Sequence, residues 1–529
     1  MPPLITINKH TTTSSPRPHI LYSVELTRNG AHYTLQKRYS DFIHLEHNLG
    51  GTGHALPPKR ILTTTFLPSA WIDDALISER KTGLQAYLEA LLNDPKFSDS
   101  NEIRSFFVPG NASDGSFHPE DAVPSTFSRQ TALSMVKGAP RSKAVSNPIA
   151  ASYYPDWATG TLAPENIDFS KYDILFFAFA MPNQSSGLDW DSGGQDVLNR
   201  LVSSARNSGQ GTKVVLSVGG WGGSYWFSNA VTNKTNRTTF VQAMADAINN
   251  HDLDGVDIDW EYPNSTGAGN PHASEDTANL LKLFKALRTQ IGDNKIISSA
   301  VTHQPWLGAN GSPLTDVSSF AAVMDYVNIM NYDVWGASAN PGPNAPYEDK
   351  CGTNTQPQAT AKAAFASWTN AGFPANKLLL GLPTYGYVSQ STATGLSGSL
   401  VEGKKSSTTL IPHPREKKGI KAKADANLQS WYGQQIPFGK IVESGALFKQ
   451  ADGTYNSTNG FTYQWDWCSD TPYIYNVSQS TVVTFDDTAS LGIKAQYALE
   501  SGMAGCFTWS LEEDDGTALQ DAVRARLGK

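Results

Sequence analysis

Asp254-Gly255-Val256-Asp257-Ile258-Asp259-Trp260-Glu261 is the stretch from which the fold of this chain can be read. Taken as a strand from Gly255 to Trp260, its period of two puts Asp257, Asp259 and Glu261 on one face and Val256, Ile258 and Trp260 on the other. Three carboxyl groups in a row on a buried strand repel one another and resist ionisation. At least one of them is therefore expected to hold a proton near neutrality. A fold gains nothing from such a row, so it marks a functional site. Asp254 has the opposite parity and reads as structural, tying the entrance of the strand.

Similar short apolar runs recur on either side. They span Ile149 to Tyr154, Ile174 to Ala180, Lys213 to Val218, Ile296 to Thr302, Tyr326 to Asn331, Leu378 to Pro383 and Gly505 to Trp509, which with the acidic strand makes eight. Between them helical periodicity appears at Val197 to Arg206, Phe240 to Asn249, Thr277 to Gln290, Thr360 to Thr369 and Leu491 to Leu499. Strands alternating with helices predict a parallel sheet with crossover helices, and eight units over residues 148–529 predict a (β/α)8 or TIM barrel. Its site should gather at the C-terminal ends of the strands, where the acidic row ends. Other strand ends carry residues suited to a sugar: Ser217-Val218-Gly219-Gly220-Trp221, Met330-Asn331-Tyr332-Asp333 and Trp509. Glycines allow close backbone approach to a ligand, and an indole offers a flat apolar face to a pyranose ring.

Together with the acidic stretch, these motifs resemble glycoside hydrolase family 18, the chitinases, over nearly all of residues 148–529. Ile149-Ala150-Ala151-Ser152-Tyr153-Tyr154-Pro155-Asp156-Trp157 and Leu380-Gly381-Leu382-Pro383-Thr384-Tyr385-Gly386 match further family positions. The resemblance implies hydrolysis of β-1,4 bonds between N-acetylglucosamine units of chitin or chito-oligosaccharides, with no cofactor and no metal. Ordinary retaining glycosidases set two carboxyl groups about 5 Å apart across the bond, whereas this family uses one acid and the substrate's own 2-acetamido oxygen. Carried onto this chain, Glu261 is the general acid and then base. Asp259 holds the acetamide N–H, Asp257 shares a proton with Asp259, and Tyr332 and Asp333 orient the acetamide and the distorted ring. Trp509 is the floor of the site, and Trp221, Tyr153, Gly220, Met330 and Trp157 are further substrate contacts. Tyr387 departs from the pattern, because many members have Arg there, and this places one substrate contact in doubt. The span 388–481 between the seventh and eighth strands is longer than a βα loop and reads as an insertion, with a basic part from Gly403 to Lys423 containing Lys404, Lys405, Arg415, Lys417 and Lys418.

Residues 1–110 have a different grammar. Ile20 to Leu26 and His32 to Arg38 read as strands joined through the turn dipeptide Asn29-Gly30. Phe42, Leu45 and Leu49, then Leu84, Tyr87, Leu88, Leu91 and Leu92, mark two amphipathic helices, which gives a small α+β domain. Lys37-Arg38-Tyr39-Ser40-Asp41-Phe42 before the first helix, with the proline-rich Leu56-Pro57-Pro58-Lys59, resembles the phox-homology (PX) family over Tyr22 to Phe107. That resemblance implies phosphoinositide binding: Arg38 as the 3-phosphate ligand, Tyr39 stacked on the inositol, Lys59 at the 1-phosphate and Arg80 as a second head-group ligand. Arg offers phosphate a bidentate fork and Lys a mobile charge, while Phe66, Leu67 and Trp71 are placed to enter the membrane interface. Residues 111–147, rich in Ser, Gly, Pro, Asp and Lys, read as a flexible linker.

The formal net charge is -8 over 529 residues. Residues 1–110 carry 11 Lys and Arg against 10 Asp and Glu, so the rest is the acidic part, which argues against nucleic-acid binding. Cys506, in an apolar run, reads as a buried thiol, and Cys351 and Cys468 can pair only in an oxidising compartment. Met1-Pro2-Pro3-Leu4-Ile5-Thr6 lacks a basic flank followed by an apolar core, so no secretory leader is expected. As one chain, the expectation is a cytoplasmic monomer associated peripherally with endosomal membranes; for the catalytic part standing alone it is extracellular. Two other activities share the acidic motif: an endo-β-N-acetylglucosaminidase acting on N-glycans, and a catalytically weak chitin-binding lectin.

Overall fold

The computed structural model describes residues 4–13, 19–28, 31–57, 74–107, 147–399 and 426–529. Lys59, Phe66, Leu67, Trp71, the Asn29-Gly30 turn, the linker up to residue 146 and the basic stretch Gly403 to Lys423 lie outside them. The chain divides into two compact units, Met1–Arg141 and Ser142–Lys529.

In the first unit, strands Leu4–Thr13, His19–Arg28 and Ala31–Lys37 form an antiparallel sheet in chain order. The second and third strands pair from Tyr22↔Lys37 to Arg28↔Ala31, so the expected hairpin is present. Helices Tyr39–Asn48, Asp74–Asn93 and Asn101–Phe106 follow. Tyr22, Val24 and Leu26 alternate inward to meet Phe42, Leu84, Leu88 and Leu91, all within one buried cluster. The strand Leu4–Thr13 and the last short helix were not foreseen.

The second unit is a closed barrel of eight parallel strands. They are Ile149–Pro155, Ile174–Pro182, Lys213–Gly219, Gly255–Asp259, Ile296–Val301, Tyr326–Ile329, Leu378–Pro383 and Gly505–Trp509. Each pairs with its neighbours in sequence, and Gly505↔Ile149 joins the last strand to the first. Every strand read from the sequence is found, and helices cover each of the five predicted helical stretches. Two apolar layers result. The outward set, including Val256, Ile258 and Trp260, packs against the helices, with Trp260 stacked on Phe227 at 5.1 Å. The inward set, including Tyr153, Phe176, Val215, Leu379 and Phe507, fills the barrel. The parity read from the acidic strand therefore holds on both faces.

The insertion takes the form of a five-stranded antiparallel sheet. Tyr385–Gln390 lies between Gln435–Pro437 and Thr481–Thr484, and the latter pairs with Thr471–Asn476, which pairs with Thr462–Asp466. The sheet thus begins three residues before, and ends three residues after, the span 388–481 marked out by length. A disulfide joins Cys468 of this region to Cys351 in the loop after the sixth barrel strand, while Cys506 is buried and free.

Candidate active site

Strand four is clamped at its entrance by Asp254, whose Oδ2 accepts from the Val214 N–H at 2.8 Å and from Arg206 Nη2 at 2.9 Å. Beyond it Asp257 is fully buried and Asp259 and Glu261 are nearly so. Parallel register sets Ser217 beside Asp257 on one side and Ser298 on the other. Both hydroxyls donate to it, Ser217 to Oδ2 at 2.8 Å and Ser298 to Oδ1 at 2.7 Å. Tyr153 Oη donates to Oδ2 at 2.9 Å and Asn328 Nδ2 to Oδ1 at 3.2 Å, and Asn328 also donates to Tyr153 Oη at 3.0 Å. Asp257 therefore sits in a cage of four donors from four other strands. Burial raises its pKa and the hydrogen bonds from Ser298, Ser217 and Tyr153 oppose the rise.

Asp259 has no such cage. Its Oδ1 is buried and meets no hydrogen-bond partner among the described residues. Burial first, then the neighbouring Glu261 and Asp257, push its carboxyl well above the usual carboxylate range. Burial pushes Glu261 up to about 7, with a hydrogen bond from Tyr262 opposing and the charge of Asp333 adding. Burial thus raises all three carboxyls; hydrogen bonds oppose the rise at Asp257, whereas at Asp259 the neighbouring Glu261 and Asp257 add to it. Both oxygens of Asp257 accept from its four donors.

The backbone around the acid is equally fixed. The Glu261 N–H donates to Ser224 Oγ at 3.0 Å, its carbonyl accepts from Asn270 Nδ2 at 3.0 Å, and Ser224 Oγ donates to the Gly220 carbonyl at 2.9 Å. Gly219 and Gly220 have positive φ values of 119° and 84°. A Cβ on Gly219 would lie 2.1 Å from the Asp259 carbonyl, and one on Gly220 would strike the Phe179 ring at 2.8 Å. The glycine pair is thus required by packing against strand four and Phe179.

Around the mouth lies an aromatic row. Trp509 stacks on Phe179 with ring centroids 5.7 Å apart and leans on Tyr153 at 5.2 Å, and Phe179 neighbours Trp157 at 6.3 Å. Trp157 and Trp221 are each 58% exposed, so their faces are open to a ligand, whereas Tyr153 is only 1% exposed. Tyr153 is a support beneath Asp257, not a surface contact, because its hydroxyl is engaged there. Met330 and Tyr332 are half-buried in the inward layer with Trp509. Asp333 follows them, exposed, with a positive φ of 57°. Ser217, Ser298, Asn328, Ser224 and Phe179 were not singled out as site residues; polar side chains at inward positions of otherwise apolar strands are the signal that marks the first three.

In the first unit, Arg38 caps helix Tyr39–Asn48, its N–H donating to Asp41 Oδ2 at 2.7 Å. Tyr39 is fully buried: its Oη donates to the Pro57 carbonyl at 2.5 Å and the Arg80 guanidinium lies 4.2 Å over its ring. The expected exposed stacking platform is therefore absent at Tyr39, whose ring face carries Arg80 instead. Arg80 is itself only 3% exposed, and Lys37 lies 4.6 Å over Phe106, where burial lowers its pKa.

Both units match known families. Residues 149–514 match the family model of the glycosyl hydrolases family 18, and residues 25–109 match that of the PX domain. A chitinase-like effector of Moniliophthora perniciosa is 35% identical over 405 residues, covering 74% of this chain and 90% of that protein. Chitinase A1 of Niallia circulans is 29% identical over 363 residues, covering 65% of this chain and 46% of its own. Among solved structures, a chitinase from Rhizomucor miehei is similar with a TM-score of 0.58 and 34% identity, covering 72% of this chain and 100% of that one.

Proposed function

The chain belongs to the glycosyl hydrolases family 18, and from that premise we propose that its barrel hydrolyses β-1,4 bonds between N-acetylglucosamine units with retention, using the substrate's acetamide as nucleophile. The observation that carries this reading is the pairing of one buried acid, Glu261, held up to about 7, with Asp259, whose Oδ1 lacks a partner among the described residues. Glu261 gives its proton to the glycosidic oxygen as the C1–O bond breaks. The acetamide carbonyl oxygen closes on C1, and the positive oxazolinium-like ring that forms keeps its N–H against Asp259. Water then attacks C1, reopening the ring, and passes a proton to the Glu261 carboxylate, which restores the acid. Because the nucleophile is already part of the bound sugar, its effective concentration reaches about 10⁵ M or more, and no second protein carboxylate has to attack. The caged Asp257 is held in place beneath Asp259 by its four donors. Trp509 forms the floor, and Tyr332 and Asp333 orient the ring.

Glu261→Gln tests this directly. The amide keeps the shape but cannot donate an acidic proton, so hydrolysis of chito-oligosaccharides should be lost with binding retained. Turnover near that of the wild type would end the assignment. A second reading, binding without hydrolysis, is favoured by the chitinase-like effector that is 35% identical. It predicts oligosaccharide binding by the wild type with no product released.

For the PX domain we infer binding to a phosphoinositide head group through Arg38 and Arg80, with Lys59 assigned on resemblance alone. Arg38→Ala should weaken binding to liposomes containing phosphatidylinositol 3-phosphate, since a charged donor to phosphate is removed. Equal binding by variant and wild type would remove Arg38 from the site.

A further inference from the structure

Asp333 belongs to the barrel, yet among the described residues every side chain that donates to its carboxylate comes from the antiparallel insertion. Its N–H is held by Asn344 Oδ1 at 2.9 Å. Its Oδ1 accepts from Tyr385 Oη at 2.5 Å, from Tyr387 Oη at 2.7 Å and from Gln435 Nε2 at 3.3 Å. Tyr385 and Tyr387 are two residues apart on strand Tyr385–Gln390 and so share a face. The neighbouring strand places Gln435 directly opposite Tyr387, and Gln435 Nε2 also donates to Tyr387 Oη at 2.9 Å. The pair is thus fixed by sheet register before it touches the barrel.

Two features make this arrangement specific. All three donors are neutral, and no ion pair involves Asp333 among the described residues, so its charge is held in place without being cancelled. All three also converge on Oδ1, while Oδ2 receives no hydrogen bond from the described residues.

We propose that Tyr387 and Gln435 are positioning residues of the hydrolytic site: through them the insertion holds Asp333 so that its charge stays beside Glu261 and its second oxygen faces the sugar. This rests on the hydrolase reading. Glu261 faces Asp259 and Tyr262 from its own segment and Asp333 from the sixth strand's end. Asp333 also faces Glu513 after the eighth strand, a carboxyl that burial first and then Glu512 hold up to about 8. Freed from the insertion, Asp333 would swing toward water, and its support for the protonated form of Glu261 would weaken.

The test is a double-mutant cycle on the full chain, reading kcat/KM on fully acetylated chitohexaose for wild type, Tyr387→Phe, Asp333→Ala and the double variant, with Gln435→Leu alongside. Tyr387→Phe keeps the ring and removes one hydrogen bond to a carboxylate, so a loss of about tenfold is expected. In the Asp333→Ala background the same change should cost less than about twofold, because the acceptor is gone. The basic limb of the kcat/KM profile should move to lower pH in Tyr387→Phe and Gln435→Leu. A merely structural role gives equal losses in both backgrounds and an unmoved limb, and that result overturns the proposal. If the wild type binds chitohexaose without cleaving it, the hydrolase reading falls, and the same cycle is read as Kd: coupling there upholds the positioning role and additivity overturns it. Neither cleavage nor binding overturns both.

Discussion

Replacing Glu261 by Gln should make the protein more stable above neutral pH, although it removes the proposed acid. An unfolded Glu titrates near its ordinary value of 4.5, whereas in the folded chain burial holds Glu261 up to about 7. Between those values the folded state keeps a proton that the unfolded state has released. Stability therefore falls as pH rises through that window and levels off above it. The two values lie about 2.5 pH units apart, and about 1.36 kcal/mol per unit makes the penalty roughly 3 kcal/mol. Part of it is shared with Asp259, which titrates in the same buried site. Gln has no proton to lose and escapes the penalty. The expected difference between variant and wild type is near zero at pH 4 and grows to about 3 kcal/mol at pH 8. Urea denaturation followed by tryptophan fluorescence isolates the relevant transition, since of the 13 Trp only Trp71 lies outside residues 148–529. Parallel pH dependences for the two proteins would show that Glu261 is not held protonated by burial, and the assignment of the acid would lose its physical basis.

Two further outcomes follow from the same geometry. The kcat/KM profile on chito-oligosaccharide should lose activity as pH rises through about 7, because donation needs protonated Glu261; an unchanged rate at pH 9 would contradict this. Tyr153→Phe should cost about 1.5–3 kcal/mol in urea denaturation by removing a donor to buried Asp257, and should lower kcat with little change in KM; a raised KM at unchanged stability would return Tyr153 to the substrate.

Much of the barrel was legible because its strands are buried on both faces and therefore stand out as short apolar runs, of which Ile174–Pro182 is the plainest. What escaped was structure held by distant pairing. Strand Leu4–Thr13 buries Ile5 and Ile7 and then runs into Lys and Thr, so its alternation is too brief to read. The insertion sheet pairs Tyr387 with Thr484 across a long stretch of chain, and no local periodicity reports such a partner. Tyr387 itself was visible only as a departure from a pattern, since its role depends on Gln435 lying opposite it and on Asp333 lying beneath both.

The acidic row shows why a motif can locate a site without distinguishing its parts. Strand parity alone put Asp257, Asp259 and Glu261 on one face, and the barrel bears that out, but parity treats the three as equivalent. Their difference comes from what other strands bring. Asp257 receives Ser217 and Ser298 by register and Tyr153 and Asn328 from across the barrel, one residue from each of four strands. Each is a small exception in an apolar run, and none is informative alone. Two hydrogen bonds on each oxygen oppose the burial that raises that carboxyl, whereas at Asp259 Glu261 and Asp257 add to the rise. The difference among three like residues is thus written in the strands that surround them: Asp257, two positions below Asp259, is the one to which the barrel brings four donors.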